Sequence, residues 1–122
     1  MMSTSPVIVR LNARTMPMDG TERALLAPLG GEIVGIEGAT DADILEAGRD
    51  ADAIMIISAY LRKPVIRELT RCKIISRIGT GVDKIDIDEA TRKGIIVNNL
   101  PDAFTEEVAD HTLALLLSAA RQ

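Results

Sequence analysis

Aromatic side chains are nearly missing from this chain. Tyr60 and Phe104 are the only two in 122 residues, and there is no tryptophan. Any core must therefore be aliphatic. One cysteine, Cys72, excludes an internal disulfide and fits a reducing, cytoplasmic setting. A single histidine and no clustered Cys, His or carboxylates at ligand spacing argue against a metal site. No apolar run approaches the ~18 residues of a membrane span. There is no excess of positive charge either. The net charge is −4, with acids and bases interspersed, which argues against nucleic acid as a partner. Met1-Met-Ser-Thr-Ser-Pro6 lacks a basic segment followed by an apolar one, so no secretory leader is visible. No fixed-period repeat, low-complexity tract or flexible linker appears.

What is present is an apolar content of 47%, enough for one packed domain. Read in order, Pro6–Leu11 is a strand, and a loop spans 12–18. A helix begins at Thr21; Pro28 shortens it and Gly30-Gly31 closes it. Glu32–Glu37 is a second strand. A short helix follows to Gly48, with Thr40 at its N-cap. Asp52–Ser58 is apolar through its middle, as a central parallel strand buried on both faces should be. Pro64 sits at the first turn of the next helix, where proline is tolerated. Lys73–Ile78 is the fourth strand, Asp88–Lys93 a helix and Ile95–Asn99 the fifth strand, broken by Pro101. Five strands alternating with helices predict an α/β fold: a parallel sheet with helices on both faces. Thr105–Arg121 is a final helix. Its apolar residues lie on more than one face, which suits burial between elements. One sheet cannot cover Leu113, Leu116 and Leu117 together, so this helix is expected to pair with a second copy or to be swapped.

The turn after the fourth strand organises the chain. Gly79-Thr-Gly-Val-Asp83 removes side chains from a tight exit and lets main-chain amides face an anion. Asp86-Ile-Asp-Glu89 is a capping-box-like start for the next helix. Strand, bare loop, helix suits a small carboxylate or phosphate. The same spacing also serves a tight turn whose glycines are there for geometry alone.

Three blocks carry a resemblance: Ile75-Ser-Arg-Ile-Gly-Thr-Gly-Val-Asp-Lys-Ile-Asp86, Ala90-Thr-Arg-Lys-Gly-Ile-Ile-Val-Asn98 and Val108-Ala-Asp-His-Thr-Leu-Ala-Leu-Leu-Leu117. Together they resemble the N-terminal part of the D-2-hydroxyacid dehydrogenases. The clear likeness covers 73–121; residues 1–70 agree in element order more than in motif. The resemblance implies a flavodoxin-like substrate domain, with residues 1–100 as its first segment and 101–122 as an interdomain helix leading into a Rossmann domain. It implies NAD or NADP in the whole enzyme and a small 2-hydroxy or 2-oxo acid as substrate. The amides of Thr80 and Gly81 would hold the acid's carboxylate. Ser58, Ala59 and Tyr60 would shape its other end, and Asn98 and Thr105 would lie where the cleft approaches the cofactor. The family's catalytic arginine, glutamate and histidine have no counterpart in this stretch. Its dinucleotide fingerprint G-x-G-x-x-G has none either, since Lys84 stands where a third glycine would be. The chain is therefore expected to be a truncated substrate domain that binds no cofactor tightly and is inactive alone. Asp110 also departs from the family's usual glutamate, and Lys84 from its usual asparagine or histidine.

Single residues mostly read as structural. His111 lies between Asp110 and Thr112, and adjacent helix residues do not face each other, so it is not assigned to catalysis. Cys72 at a strand start reads as a packed thiol. Arg77 beside the glycine loop can attract an anion, but a surface or salt-bridged arginine is the simpler reading. Arg62 and Lys63 read as an exposed basic turn, and Asp83 and Asp86 as caps. A stand-alone binding module of flavodoxin-like fold is the alternative. A receiver domain shares the sheet order but needs acids where Asn12 and Ser58 stand.

Overall fold

The computed structural model describes residues 5–122; the first residues, read above for a leader, lie outside it. Five strands form one parallel sheet: β1 (Val7–Arg10), β2 (Glu32–Gly35), β3 (Ala53–Ile56), β4 (Ile74–Arg77) and β5 (Ile96–Asn98), in the order β2-β1-β3-β4-β5. That order is flavodoxin-like, as expected. The helices are α1 (Gly20–Leu26), α2 (Asp41–Gly48), α3 (Lys63–Glu68), α4 (Ile87–Arg92) and α5 (Thr105–Ala120). Pro28 converts the end of the first helix into a 3-10 turn over Ala27–Leu29.

The sheet's two faces are covered unequally. Val9, Ile54, Ile75 and Val97 are register partners and so share a face. They join Ile44 of α2, Val65 and Ile66 of α3 and Ala90 of α4 in one aliphatic cluster. On the other face, α1 approaches through an ion pair: buried Arg10 meets Glu22 at 3.3 Å. Farther along that face the sheet is open, and Ile96 is 64% exposed.

Local chemistry explains the helix starts. Asp19 and Glu22 form a reciprocal capping box at α1, and Thr40 and Asp43 form another at α2. At α4 only half the expected box exists. Asp86 accepts from the Glu89 amide at 2.9 Å, but the Glu89 carboxylate turns away to Arg67 and Arg92. Asp83 is not part of this cap. The Glu89 carboxylate ties α3 to α4, and the paired Arg92 guanidinium, followed by Arg67, holds its pKa below the ordinary value.

The last helix corrects one expectation. No residue of α5 is buried, and Val108, Leu113, Leu115, Leu116 and Leu117 all stand largely in solvent. Its apolar side chains stay largely in solvent, while α2, α3 and α4 fill the face that carries the core.

Candidate functional site at the carboxyl end of the sheet

The segments leaving β3 and β4 lie side by side. Leu61 donates its amide to the Lys84 carbonyl at 2.8 Å, and Asp86 donates to the Leu61 carbonyl at 3.0 Å. The Lys84 ammonium adds a bond to the Ser58 carbonyl at 3.1 Å. Two cations lie over the Tyr60 ring, Arg62 at 4.9 Å and Lys84 at 5.1 Å from its centre. Arg62 also pairs with Asp41 at 3.0 Å, so it is not simply an exposed basic turn.

Residues 57–59 end the strand early for a specific reason. Their amides do not continue the ladder; Ile57, Ser58 and Ala59 all donate to Oδ1 of Asn12, at 3.3, 2.8 and 3.0 Å. Asn12 is buried and left-handed, at φ 60°. Asparagine tolerates that conformation better than most residues. The sequence alone marks Asn12 only as a residue that is not an acid. An asparagine just past a strand is the available signal, since its side chain often bonds nearby backbone.

Behind Asn12, the Glu37 carboxylate accepts from the Thr15 hydroxyl and from the amides of Arg14 and Thr15. Those bonds, the Thr15 hydroxyl first, hold the pKa of Glu37 below its ordinary value. A cleft of about 230 Å³ lies between Asn12, Glu37, Thr40, Ser58, Tyr60 and Arg62. It sits beside β1 and β3, where the strand order reverses, the usual place for a ligand crevice in such a sheet.

The glycine loop after β4 is held differently. Two of its carbonyls are taken: Leu100 donates to the Gly79 carbonyl at 3.0 Å, and the Asn99 side chain donates to the Thr80 carbonyl at 2.6 Å. Among the described residues, the amides of Thr80 and Gly81 find no acceptor. Thr80 is exposed and Gly81 half-buried. The glycines have steric reasons as well. Gly79 has φ 154°, and a Cβ there would run into the Arg77 guanidinium; one on Gly81 would lie 2.7 Å from the Asp83 carboxylate.

Arg77 is not salt-bridged among the described residues. It donates to the Ile78 carbonyl at 2.6 Å and keeps a buried Nε without a partner.

The remaining candidate residues separate from this site or stay at its rim. Ser58 and Tyr60 are exposed on the loop after β3, whereas Ala59 is buried. Asn98 ends β5 and Thr105 begins α5, both exposed; it is Asn99 that reaches the glycine loop. His111 is exposed on α5. Burial pushes the Cys72 thiol up to about 11, so it is not a poised nucleophile. No cluster of three or more His, Cys, Asp or Glu suited to a metal exists among the described residues, and no described helix is long and apolar enough to cross a membrane.

Residues 15–120 match the model of the D-isomer specific 2-hydroxyacid dehydrogenase catalytic domain. The chain belongs to that family. It is 44% identical over 92 residues to D-3-phosphoglycerate dehydrogenase of Methanocaldococcus jannaschii, covering 75% of this chain and 18% of the relative. It is 42% identical over 79 residues to glyoxylate reductase of Pyrococcus furiosus, covering 64% and 24%. Among solved structures, NAD+-bound 3-phosphoglycerate dehydrogenase of Entamoeba histolytica superposes with TM-score 0.76 at 28% identity, covering 93% of this chain and 38% of that one. The chain thus spans about a fifth of the length of the curated relatives named here. The family is one of NAD(P)-dependent oxidoreductases acting on 2-hydroxy acids, and the fold of this chain agrees with it.

Proposed function

We propose that this chain supplies the carboxylate seat and one wall of the substrate cleft of a D-2-hydroxyacid dehydrogenase. The observation that carries the reading is the pair of unclaimed amides at Thr80 and Gly81, left over while the carbonyls of Gly79 and Thr80 are tied down. Amides presented this way bind an anion without needing a charged side chain. The substrate is a small 2-hydroxy or 2-oxo acid. Its carboxylate sits on those amides, and its far end meets Ser58 and Tyr60, with Ala59 packed beneath them.

Gly79-Thr-Gly-Val-Asp-Lys84 does not fit a dinucleotide pyrophosphate, because Lys84 replaces the third glycine. No reaction step is therefore assigned to a cofactor held here. NAD or NADP would supply hydride chemistry from a Rossmann domain outside this stretch, with Asn98 and Thr105 bordering it. Residues 1–100 serve as the first segment of the substrate domain and 101–122 as the interdomain helix. The working location is the cytoplasm, and the half-buried Cys72 thiol fits a reducing compartment.

The test is a titration of the 122-residue chain with glycolate or D-glycerate, following backbone amide resonances. Shifts centred on Thr80 and Gly81 are expected; shifts elsewhere, or none, refute the seat. The same chain should not oxidise D-lactate, D-glycerate or 3-phosphoglycerate with NAD. Measurable turnover would overturn the claim that its catalytic groups lie elsewhere. The exposed leucines of α5 further support a homodimer formed through that helix. Sedimentation should show mass rising with concentration, and a strict monomer throughout would end that part.

A further inference from the structure

We infer that Asn12 is the positioning residue of the substrate wall. One side-chain oxygen takes three consecutive amides, Ile57, Ser58 and Ala59, and so fixes where Ser58 and Tyr60 point. The inference rests on the substrate reading above and adds a division of labour to it.

Three observations converge on residue 12. It is buried, so its oxygen competes little with water for those donors. It holds a left-handed backbone that turns the side chain across the end of β3. The loop it holds is clamped from the far side by Lys84, through the Leu61 amide and the Ser58 carbonyl. With these amides consumed, Ser58 and Ala59 can meet a ligand only through side chains, and Tyr60 is the one wall residue whose amide has no acceptor among the described residues. The paired free amides that suit an anion are those of Thr80 and Gly81. Asn12 thereby acts on the end of the acid remote from its carboxylate, without touching it.

Asn12→Gly keeps the left-handed conformation and removes the acceptor; Asn12→Asp keeps an acceptor. In the 122-residue chain, hydrogen exchange at the amides of 57–59 should quicken about tenfold in Asn12→Gly relative to that of Ile75, and stay slow in Asn12→Asp. Binding of D-glycerate should weaken about fivefold in Asn12→Gly. Binding of glycolate, which is little more than the carboxylate end, should hold, and Asn12→Asp should restore D-glycerate. Unchanged exchange in Asn12→Gly overturns the inference, and so does equal weakening of both acids, which is what general loosening would give. Should Asn12→Gly not fold, the amide protons of 57–59 in Asn12→Asp decide. A downfield move from charge-assisted bonds supports the inference, and no move overturns it. If the unaltered chain bound neither acid, the seat at Thr80 and Gly81 would fall, while the exchange comparison would still judge the hold of Asn12 on its loop.

Discussion

The loops after β3 and β4 leave the same end of the same sheet and are built on opposite plans. After β3 the amides of Ile57, Ser58 and Ala59 are spent on Asn12 and the side chains of Ser58 and Tyr60 are exposed. After β4 the carbonyls of Gly79 and Thr80 are spent, on Leu100 and Asn99, and the amides of Thr80 and Gly81 are left over. Every main-chain group must be paired or face water. Which half of the peptide is paired therefore decides whether a loop offers side-chain chemistry or an anion seat. A glycine pair alone does not decide this; the acceptor or donor on the neighbouring element does.

The strongest way to break the comparison is to remove the platform both loops share. Ile56 is fully buried at the end of β3 and pairs in register with Arg77 at the end of β4. Ile56→Ala should cost about 2–5 kcal/mol, the range for deleting a buried aliphatic side chain. Chemical denaturation would show it as a lower midpoint, and both loops should lose amide protection together. Loss at one loop only would mean that they do not share a support.

Gly79→Ala should separate the two. A side chain at φ 154° is strained, and it would push the Arg77 guanidinium from its place. A cost of about 1–3 kcal/mol is expected. Resonances of Thr80 and Gly81 should move while those of 57–59 stay. Matching movement at both loops would contradict their independence.

Acid should destabilise the domain. The pKa of Glu37 lies below its ordinary 4.5, chiefly through the Thr15 hydroxyl, and that of Asp52 below 3.8, chiefly through the Val7 amide. Glu89 is lowered as well, chiefly by Arg92. Depressed carboxylates add stability that is complete above their unfolded values and disappears as pH falls through the folded ones. Thermal midpoints should be level from neutral pH down to about 5 and drop below about 4. In Glu37→Gln the drop should be shallower, and an unchanged slope would remove Glu37 from the account.

Much of this architecture is legible in the sequence. β-Branched runs such as Asp52–Ser58 and caps such as Thr40 act locally, so strands, helices and the parallel order follow from them. The exposed glycine loop is legible for the same reason. What stays hidden is what depends on distant partners. Asn12 and Ser58 are 46 residues apart, and nothing local announces their bond. Asn99 rather than Asn98 touches Thr80, because strand alternation fixes a face but not the reach of the residue just past the strand's end. Local spacing assigns the Glu89 carboxylate to a cap, yet Arg67 on another helix competes for it.

Lys84 carries the smallest expected effect and the finest test of the two-loop comparison. Its ammonium is a side-chain bond joining the candidate wall to the segment that bears the seat, at 3.1 Å from the Ser58 carbonyl. That bond is exposed, and exposed charged contacts contribute about 0–1 kcal/mol because water competes and the side chain loses freedom. Lys84→Met keeps the aliphatic stem against Tyr60 and deletes the charge, so stability should change by less than about 1 kcal/mol. The backbone bridge between Leu61 and Lys84 needs no side chain and should survive. Ser58 and Tyr60 resonances should shift while Thr80 and Gly81 hold still. Movement of the seat on losing this one charge would mean that the two loops form a single coupled unit, and the division between side-chain wall and main-chain seat would have to be given up.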